Sequence, residues 1–371
     1  MKTTILRILR TMRLGATPVT VCAVMLGLIG VLAVFNATYH MPSPTYYVVR
    51  QAVWLLVGGT LAFLLAGMPA RVWRRRGPWL AVPALAALLG VFVWGVRIHR
   101  MRGWYQFPGF LVQPGELAKP FFVLALAWLL VCTADHRRRF VAGYLPLLAF
   151  LALWVVPLAL QPDFGTLLVY LATFSALVLV AGVPLAHLAL TAAAALPLGF
   201  AAWTAVPYLR IRVIGFLRPE QFADSAGWHI LQFRRTLASG GLRGRTWGDC
   251  IWSRTHLPLG HTDSMFATVG EAMGFLGVLP LLALLGAWIA YVSRRSRQMD
   301  DPFAATAAMG LMALVAGQAL IHLSVNLGLM PVTGLTLPLF SYGGSSMIAT
   351  MTCVGICESL LRRTPPANEA P

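Results

Sequence analysis

The chain has 371 residues, 58% of them hydrophobic and only 11% charged, with a mean hydropathy of +0.74. Soluble domains carry about 25% charged residues, so this composition excludes an ordinary cytosolic globular protein. Abundant Leu, Val, Phe and Trp exclude a disordered one. The net charge of +17 first suggests nucleic acid, but basic loops in a multispan protein mainly set orientation, and no nucleic-acid partner is expected. The cysteines (Cys22, Cys132, Cys250, Cys353, Cys357) show no metal or redox spacing, and four of the five lie in apolar segments as small hydrophobes.

The expected fold is an all-α polytopic membrane protein. Hydropathy places spans near 17–36, 50–68, 79–96, 116–133, 141–160, 164–182, 188–207, 265–292, 303–325 and 345–361. The basic segment Lys2 to Arg13 leads into the first span, which is long enough to be retained rather than cleaved as a signal peptide. With the N-terminus inside, Lys2, Arg7, Arg10, Arg13, Arg71, Arg74 to Arg76, Arg137 to Arg139, Arg294, Arg295, Arg297, Arg362 and Arg363 all fall in inner loops or termini. The short outer loops then hold Arg97, Arg100 and Arg102. That asymmetry favours ten spans with both termini cytoplasmic. One domain is expected over 1–371, with a long external loop at 208–263 and a short disordered tail at 364–371.

The long loop carries Arg210, Arg212, Arg218, Arg234, Arg235, Arg243, Arg245 and Arg254. These residues either touch anionic headgroups or cradle a phosphorylated lipid, since guanidinium forks pair phosphate oxygens well. Four acids lie in or beside apolar spans: Glu116, Asp163, Asp263 and Glu271. Ionisable groups there are expensive, and the topology puts all four toward the outer side. Glu116 and Lys119, three apart, can pair on one helix face. Asp163 follows Gln161-Pro162 at a helix start, either as a cap or facing a polar cavity. Asp263 ends His261-Thr262-Asp263 and enters the eighth span as a cap, a general base or a metal ligand. Between the last two spans, Pro331 to Pro338 and Ser341 to Ser346 describe a non-helical element at membrane depth, which survives only if buried or lining a polar cavity.

These segments, in this order, resemble the SEDS family (shape, elongation, division and sporulation), which includes RodA, FtsW and SpoVE. Gln113 to Lys119 matches that family's QPSELAK, and Gln161 to Thr166 its QPDLGT. Gly227 to Gln232 matches GYQxxQ, Ser239 to Leu242 SGGL, His261 to Asp263 HTD, and Gly270-Glu271 the start of GEE. Gly328 to Gly334 with Ser341 to Ser346 matches GLLPVTG and SYGGSS. Gly103 before Trp104, Leu259 and Ser264 in place of the Glu and Phe that flank HTD, and Ala272 after Glu271 depart from the family pattern and mark a divergent member.

The resemblance implies a peptidoglycan glycosyltransferase of the bacterial cytoplasmic (inner) membrane, serving division or cell shape. Such an enzyme polymerises lipid II, an undecaprenyl-diphosphate-linked disaccharide peptide, beside a class B penicillin-binding transpeptidase. It further implies that Asp263 is the catalytic acid of HTD and a possible ligand for a divalent cation (Mg or Mn). Substrate-binding roles are implied for Arg102, Glu116, Lys119, Asp163, Gln232, His261, Thr262, Glu271 and Ser345. A lipid II flippase and a catalytically weak scaffold of the division or elongation machinery are the competing readings.

Overall fold

A computed structural model describes residues 17–98, 101–257 and 259–362. Lys2, Arg7, Arg10, Arg13, Arg100, Pro258, Arg363 and the tail 364–371 lie outside the described residues. Lipid offers no partner for a bare amide, so the apolar segments close their hydrogen bonds within helices. They are α1 (Pro18–Thr38), α2 (Pro44–Ala66), α3 (Ala70–Arg76) and α4 (Ala81–Trp94). After a short sheet come α5 (Pro114–Leu117), α6 (Lys119–Cys132), α7 (Leu145–Leu160), α8 (Phe164–Val180) and α9 (Leu185–Ala205). The expected external segment is itself largely helical, as α10 (Pro207–Leu217), α11 (Trp228–Gly240) and α12 (Trp252–Thr255). The chain ends with α13 (Met265–Ser296), α14 (Pro302–Asn326) and α15 (Gly344–Leu361).

Eight of these helical stretches are long and apolar enough to cross a bilayer, and α3 with α4 makes a ninth if that pair, bent by 50°, is one span. The 17-residue α8 takes the tenth place in the sequence order. Local chemistry explains the starts. Proline stands at the first positions of α1, α2 and α14, where its missing N–H costs nothing. Asp301 accepts from the amides of Phe303 and Ala304, and Asp163 from that of Thr166 at 3.1 Å, each satisfying an otherwise orphaned N–H.

Two departures from the hydropathy reading are instructive. Residues between α4 and α5 form an antiparallel sheet of β1 (Val96–Ile98), β2 (Met101–Phe107) and β3 (Phe110–Val112), pairing Val96 with Trp104 and Tyr105 with Val112. Strands this short are invisible to a span-length window. The eighth span, expected to be continuous, breaks at Gly274 (φ 66°, ψ −176°). The freed amides of Phe275 and Leu276 donate to the carbonyls of Gly241 and Leu242 at 2.9 and 3.1 Å, so the outer segment repairs the break.

The best-buried helices are α14, α6 and α15, and α14 packs against α6, α8, α13 and α15. By contrast α9 has no buried residue in its apolar window. Close approach depends on small residues, as expected where packing rather than water exclusion joins helices. A Cβ on Gly355 would lie 2.5 Å from the Ala62 carbonyl oxygen, and one on Gly30 would lie 2.4 Å from that of Leu339. Gly30 thus seats the non-helical segment 327–343 against α1. Gly30→Ala should destabilise the protein by about 1–3 kcal/mol through overpacking. Gly59→Ala, with nothing within 4 Å of the new methyl, should be neutral or slightly stabilising. Thermal unfolding of both variants in detergent checks the contrast.

Candidate active site

The turn 259–264 and the segment 327–343 hold each other. The Tyr342 amide donates to the His261 carbonyl at 2.7 Å, and the Ser341 hydroxyl donates to the Thr262 carbonyl at 2.5 Å while accepting from the Leu337 amide at 2.8 Å. A polar row on α14 completes the frame. Gln318, His322 and Asn326 recur every four residues and therefore share one face. Gln318 donates to the Thr336 carbonyl at 3.0 Å, and Asn326 donates to the Asp263 carbonyl at 3.1 Å while accepting from the Ala267 amide at 3.1 Å. His322 meets the Leu335 carbonyl at 2.8 Å through Nδ1, which must carry the proton, leaving Nε2 to accept from the Phe266 amide.

This frame sets the Asp263 side chain beside Gly334, whose notional Cβ lies 3.9 Å from Oδ2, and the Thr262 hydroxyl donates to Oδ1 at 2.8 Å. Burial pushes the Asp263 carboxyl above its ordinary pKa. The Thr262 hydrogen bond and the charges of His229 and Arg212 oppose that rise. Burial in turn pushes His229 down, with Asp263 opposing and Arg212 assisting. Arg212 is anchored by donating to the Val332 carbonyl at 2.6 Å and lies over the Tyr208 ring at 4.3 Å. A partly buried carboxylate thus lies within electrostatic reach of one cation and one titratable imidazole.

The other candidate residues fall into three groups. Lys119 donates to Glu116 at 2.5 Å and to Gln318 at 2.7 Å, and both members of this ion pair are almost fully buried. Beside it, Gln113 donates its side-chain amide to Asp163 at 2.9 Å, and its backbone N–H donates to the Ser345 hydroxyl at 3.0 Å. Glu116, Lys119, Asp163 and Ser345 therefore share one polar cluster, joined through Gln318 to the frame around Asp263.

Glu271 sits elsewhere. Its carboxylate accepts from the amides of Trp252 and Ser253 at 2.9 and 2.7 Å and from the Ser239 hydroxyl at 2.9 Å, so it ties α11 and α12 to α13. Arg102 donates to the Gly95 and Val93 carbonyls at the end of α4, within the short sheet. Gln232 is buried on α11, its Oε1 without a partner among the described residues. His261 packs its ring against Tyr47 and Tyr342. Among the described residues, no three His, Cys, Asp or Glu side chains gather as a metal site.

Sequence reasoning missed Gln318, His322, Asn326 and Arg212 as individuals. The signal for the first three was present, since three polar side chains at a spacing of four in an apolar span mark a buried polar face. Arg212 stood out from its seven loop companions only through its anchorage.

Each member of the buried ion pair, left alone, is an uncompensated charge in a site almost closed to solvent. Glu116→Gln and Lys119→Met should each cost about 3–5 kcal/mol of stability. The double variant should be milder than the sum, and thermal unfolding across the four proteins of the cycle reads the difference.

Residues 16–365 match the family model for cell cycle proteins of the FtsW, RodA and SpoVE group. Among curated relatives, the probable peptidoglycan glycosyltransferase FtsW of Trichlorobacter lovleyi is 30% identical over 88% of both chains. That of Halomonas elongata is 34% identical over 86% of this chain and 82% of its own. Among solved structures, a chain from work on structural coordination of polymerization and crosslinking by a peptidoglycan synthase complex superposes with a TM-score of 0.77 at 30% identity. It covers 92% of this chain and 96% of its own. The rod shape determining protein RodA of Thermus thermophilus gives 0.67 at 29% identity over 92% and 95%. With the whole bundle and its ordered motifs accounted for, the chain belongs to the FtsW/RodA/SpoVE family of multi-pass membrane proteins.

Proposed function

We propose that the protein is a peptidoglycan glycosyltransferase that polymerises lipid II at the outer face of the bacterial cytoplasmic membrane, with both termini inside. The carrying observation is the Asp263 carboxylate, held beside the broken backbone of 327–343 and facing Arg212 and His229. In the reaction an acceptor sugar hydroxyl attacks the anomeric carbon of a lipid-linked glycan. Asp263 takes the hydroxyl proton as the new glycosidic C–O bond forms. The bond from the anomeric carbon to the diphosphate breaks, and its electron pair leaves with the diphosphate. A base that holds its proton more tightly than an ordinary carboxylate is better matched to this work, which supports the assignment. Arg212, with other arginines of the outer segment, offsets charge on the departing diphosphate.

Asp263 offers a single carboxylate to a cation. That suits Mg²⁺ or Mn²⁺, which commonly take one or two protein carboxylates and complete their shell with water and substrate phosphate. When bound there, such an ion would add positive charge beside the diphosphate. Asp263 would be its protein ligand, and the proton transfer remains with this side chain. Kinship with a chain from a peptidoglycan synthase complex supports a class B penicillin-binding transpeptidase as the partner.

Asp263→Asn keeps the shape of the side chain and its hydrogen bond with Thr262, so the protein should fold as before. Polymerisation of labelled lipid II should fall by at least about 100-fold, the scale of a lost general base. Near-normal activity would make Asp263 structural. In wild-type protein kcat/KM should drop as pH falls through the raised Asp263 pKa, because only the unprotonated form accepts. The acid limb should therefore lie above the ordinary carboxylate range of about 4. Arg212→Met removes a charge that favours the carboxylate and should move this limb to still higher pH. For topology, Asp224 is exposed in the segment after α10. Asp224→Cys in a background lacking native cysteines should react with an impermeant maleimide in intact spheroplasts. Reaction only after permeabilisation would reverse the orientation.

A further inference from the structure

The turn that presents Asp263 has a second, chemically different set of neighbours. Charges reach Asp263 from α10 and α11, as Arg212 and His229. Rings reach His261, two residues earlier, from α2 and the segment 327–343. The centroids of Tyr47 and Tyr342 lie 5.0 and 5.7 Å from that of His261 and 5.4 Å from each other, so the three rings form a closed triangle. Tyr46 extends it, edge to face with Tyr47 at 5.4 Å, and is 51% exposed. Arg50 stacks over the Tyr46 ring and donates to the Gly109 carbonyl at 2.7 Å, which locks the outer end of this shelf to the β2–β3 turn.

Rings assembled only to fill a core would be buried, yet Tyr46 is exposed and Tyr47, His261 and Tyr342 are all partly open. The His261 Nδ1 is enclosed without a partner among the described residues, so packing, rather than hydrogen bonding, orients this ring. The shelf is uncharged apart from Arg50 at its rim. It does not suit a diphosphate, and it does not suit a bare acyl chain, which would leave the Tyr47 and Tyr342 hydroxyls unpartnered, that of Tyr46 accepting from Arg50. It does suit a pyranose, whose ring C–H face lies on an aromatic face while its hydroxyls meet phenol O–H groups.

We infer that Tyr46, Tyr47 and Tyr342 with His261 form a saccharide subsite that holds the already polymerised, β-linked N-acetylhexosamine strand next to Asp263. The inference rests on the glycosyltransferase reading. In a lipid-linked strand the anomeric carbon joins diphosphate on one side to glycan on the other. Arg212 and His229 serve the first, and the tyrosine shelf serves the second, with the turn 259–264 between them. Holding the strand lets it remain after each transfer, so the shelf sets product length rather than the rate of bond formation.

The test separates strand binding from catalysis by using the lipid-free tetrasaccharide (GlcNAc–MurNAc)₂, which has no leaving group. Its affinity is measured by titration calorimetry on the full-length protein in nanodiscs. Tyr46→Ala and Tyr342→Leu should each weaken binding by about fivefold, the scale of one lost aromatic contact. Tyr46→Trp should restore it, and Tyr46→Ala should shorten the strands made from lipid II. Because Tyr46 is exposed, its loss leaves the fold intact, and that variant decides the matter even if Tyr342→Leu unfolds. Unchanged affinity in Tyr46→Ala, failure of Tyr46→Trp to restore it, or no tetrasaccharide binding by the wild type would each overturn the inference. Tyrosine-dependent binding in a protein that never polymerises lipid II would uphold the subsite and defeat the glycosyltransferase reading instead.

Discussion

Seventeen residues of non-helical backbone, 327–343, lie between two apolar helices, and every peptide group in that stretch must find a partner without help from lipid. The arrangement of the rest of the bundle follows from that constraint. The α14 helix spends two side chains on it and a third on the turn it packs against. Gln318 reaches the Thr336 carbonyl, His322 the Leu335 carbonyl, and Asn326 the Asp263 carbonyl at the far end. On the other side, Gly30 is bare so that Leu339 and Phe340 can lie directly on α1. An interior hydrogen bond of this kind contributes only about 1 kcal/mol net, but an unmade one costs more, so the set is rigid because its failure is expensive. Rigidity is what a reacting carboxylate needs, since a displacement of about 1 Å can cost two orders of magnitude in rate.

Much of this was legible in the sequence. Long apolar runs placed the helices in order, and the ten expected segments recur as helices, although α2 begins at Pro44 rather than near 50 and eight or nine stretches, not ten, are long and apolar enough to span. Pro331 to Pro338, with its glycines and hydroxyls, announced the non-helical element. Glu116 and Lys119 announced their ion pair through a spacing of three. Two kinds of feature were not legible. Strands of three to seven residues, such as Val96–Ile98 and Met101–Phe107, carry too little apolar content for a window tuned to spans. Tertiary partners were hidden as well, since nothing near Glu271 in sequence shows that the amides of Trp252 and Ser253 will claim its carboxylate.

Glu271 illustrates how position in sequence misleads about role. It stands eight residues after Asp263 and is, like it, one of the four acids in or beside the apolar spans. In the folded chain the two acids have opposite environments. Glu271 accepts from two backbone amides and a hydroxyl, which leaves its oxygens occupied by protein. Asp263 receives one side-chain hydrogen bond, from Thr262, and otherwise faces charges. Carboxylates saturated by fixed donors are poor bases, and those with a free flank in a poorly solvated site are good ones. Glu271 is thereby an architectural tie, while the free flank of Asp263 is what the proposed general-base role requires.

The break at Gly274 connects these two roles. A straight helix from Met265 to Ser296 would present an unbroken column of satisfied amides, with no purchase for the outer segment. Because the break frees the amides of Phe275 and Leu276, the carbonyls of Gly241 and Leu242 dock there, and the Arg245 amide donates back to the Glu271 carbonyl. Glu271 then fastens α12 from within the same turn of helix. The segment 241–253 is thereby attached to α13 at several points within about four helical turns of Asp263, and α11, which carries His229, inherits that placement. Arg212 is fixed separately, through Val332. Both positive neighbours of Asp263 are thus held by backbone that is itself broken out of regular helix. The residues that a purely helical bundle would forbid are therefore the ones that let this bundle hold Arg212 and His229 within electrostatic reach of the Asp263 carboxylate.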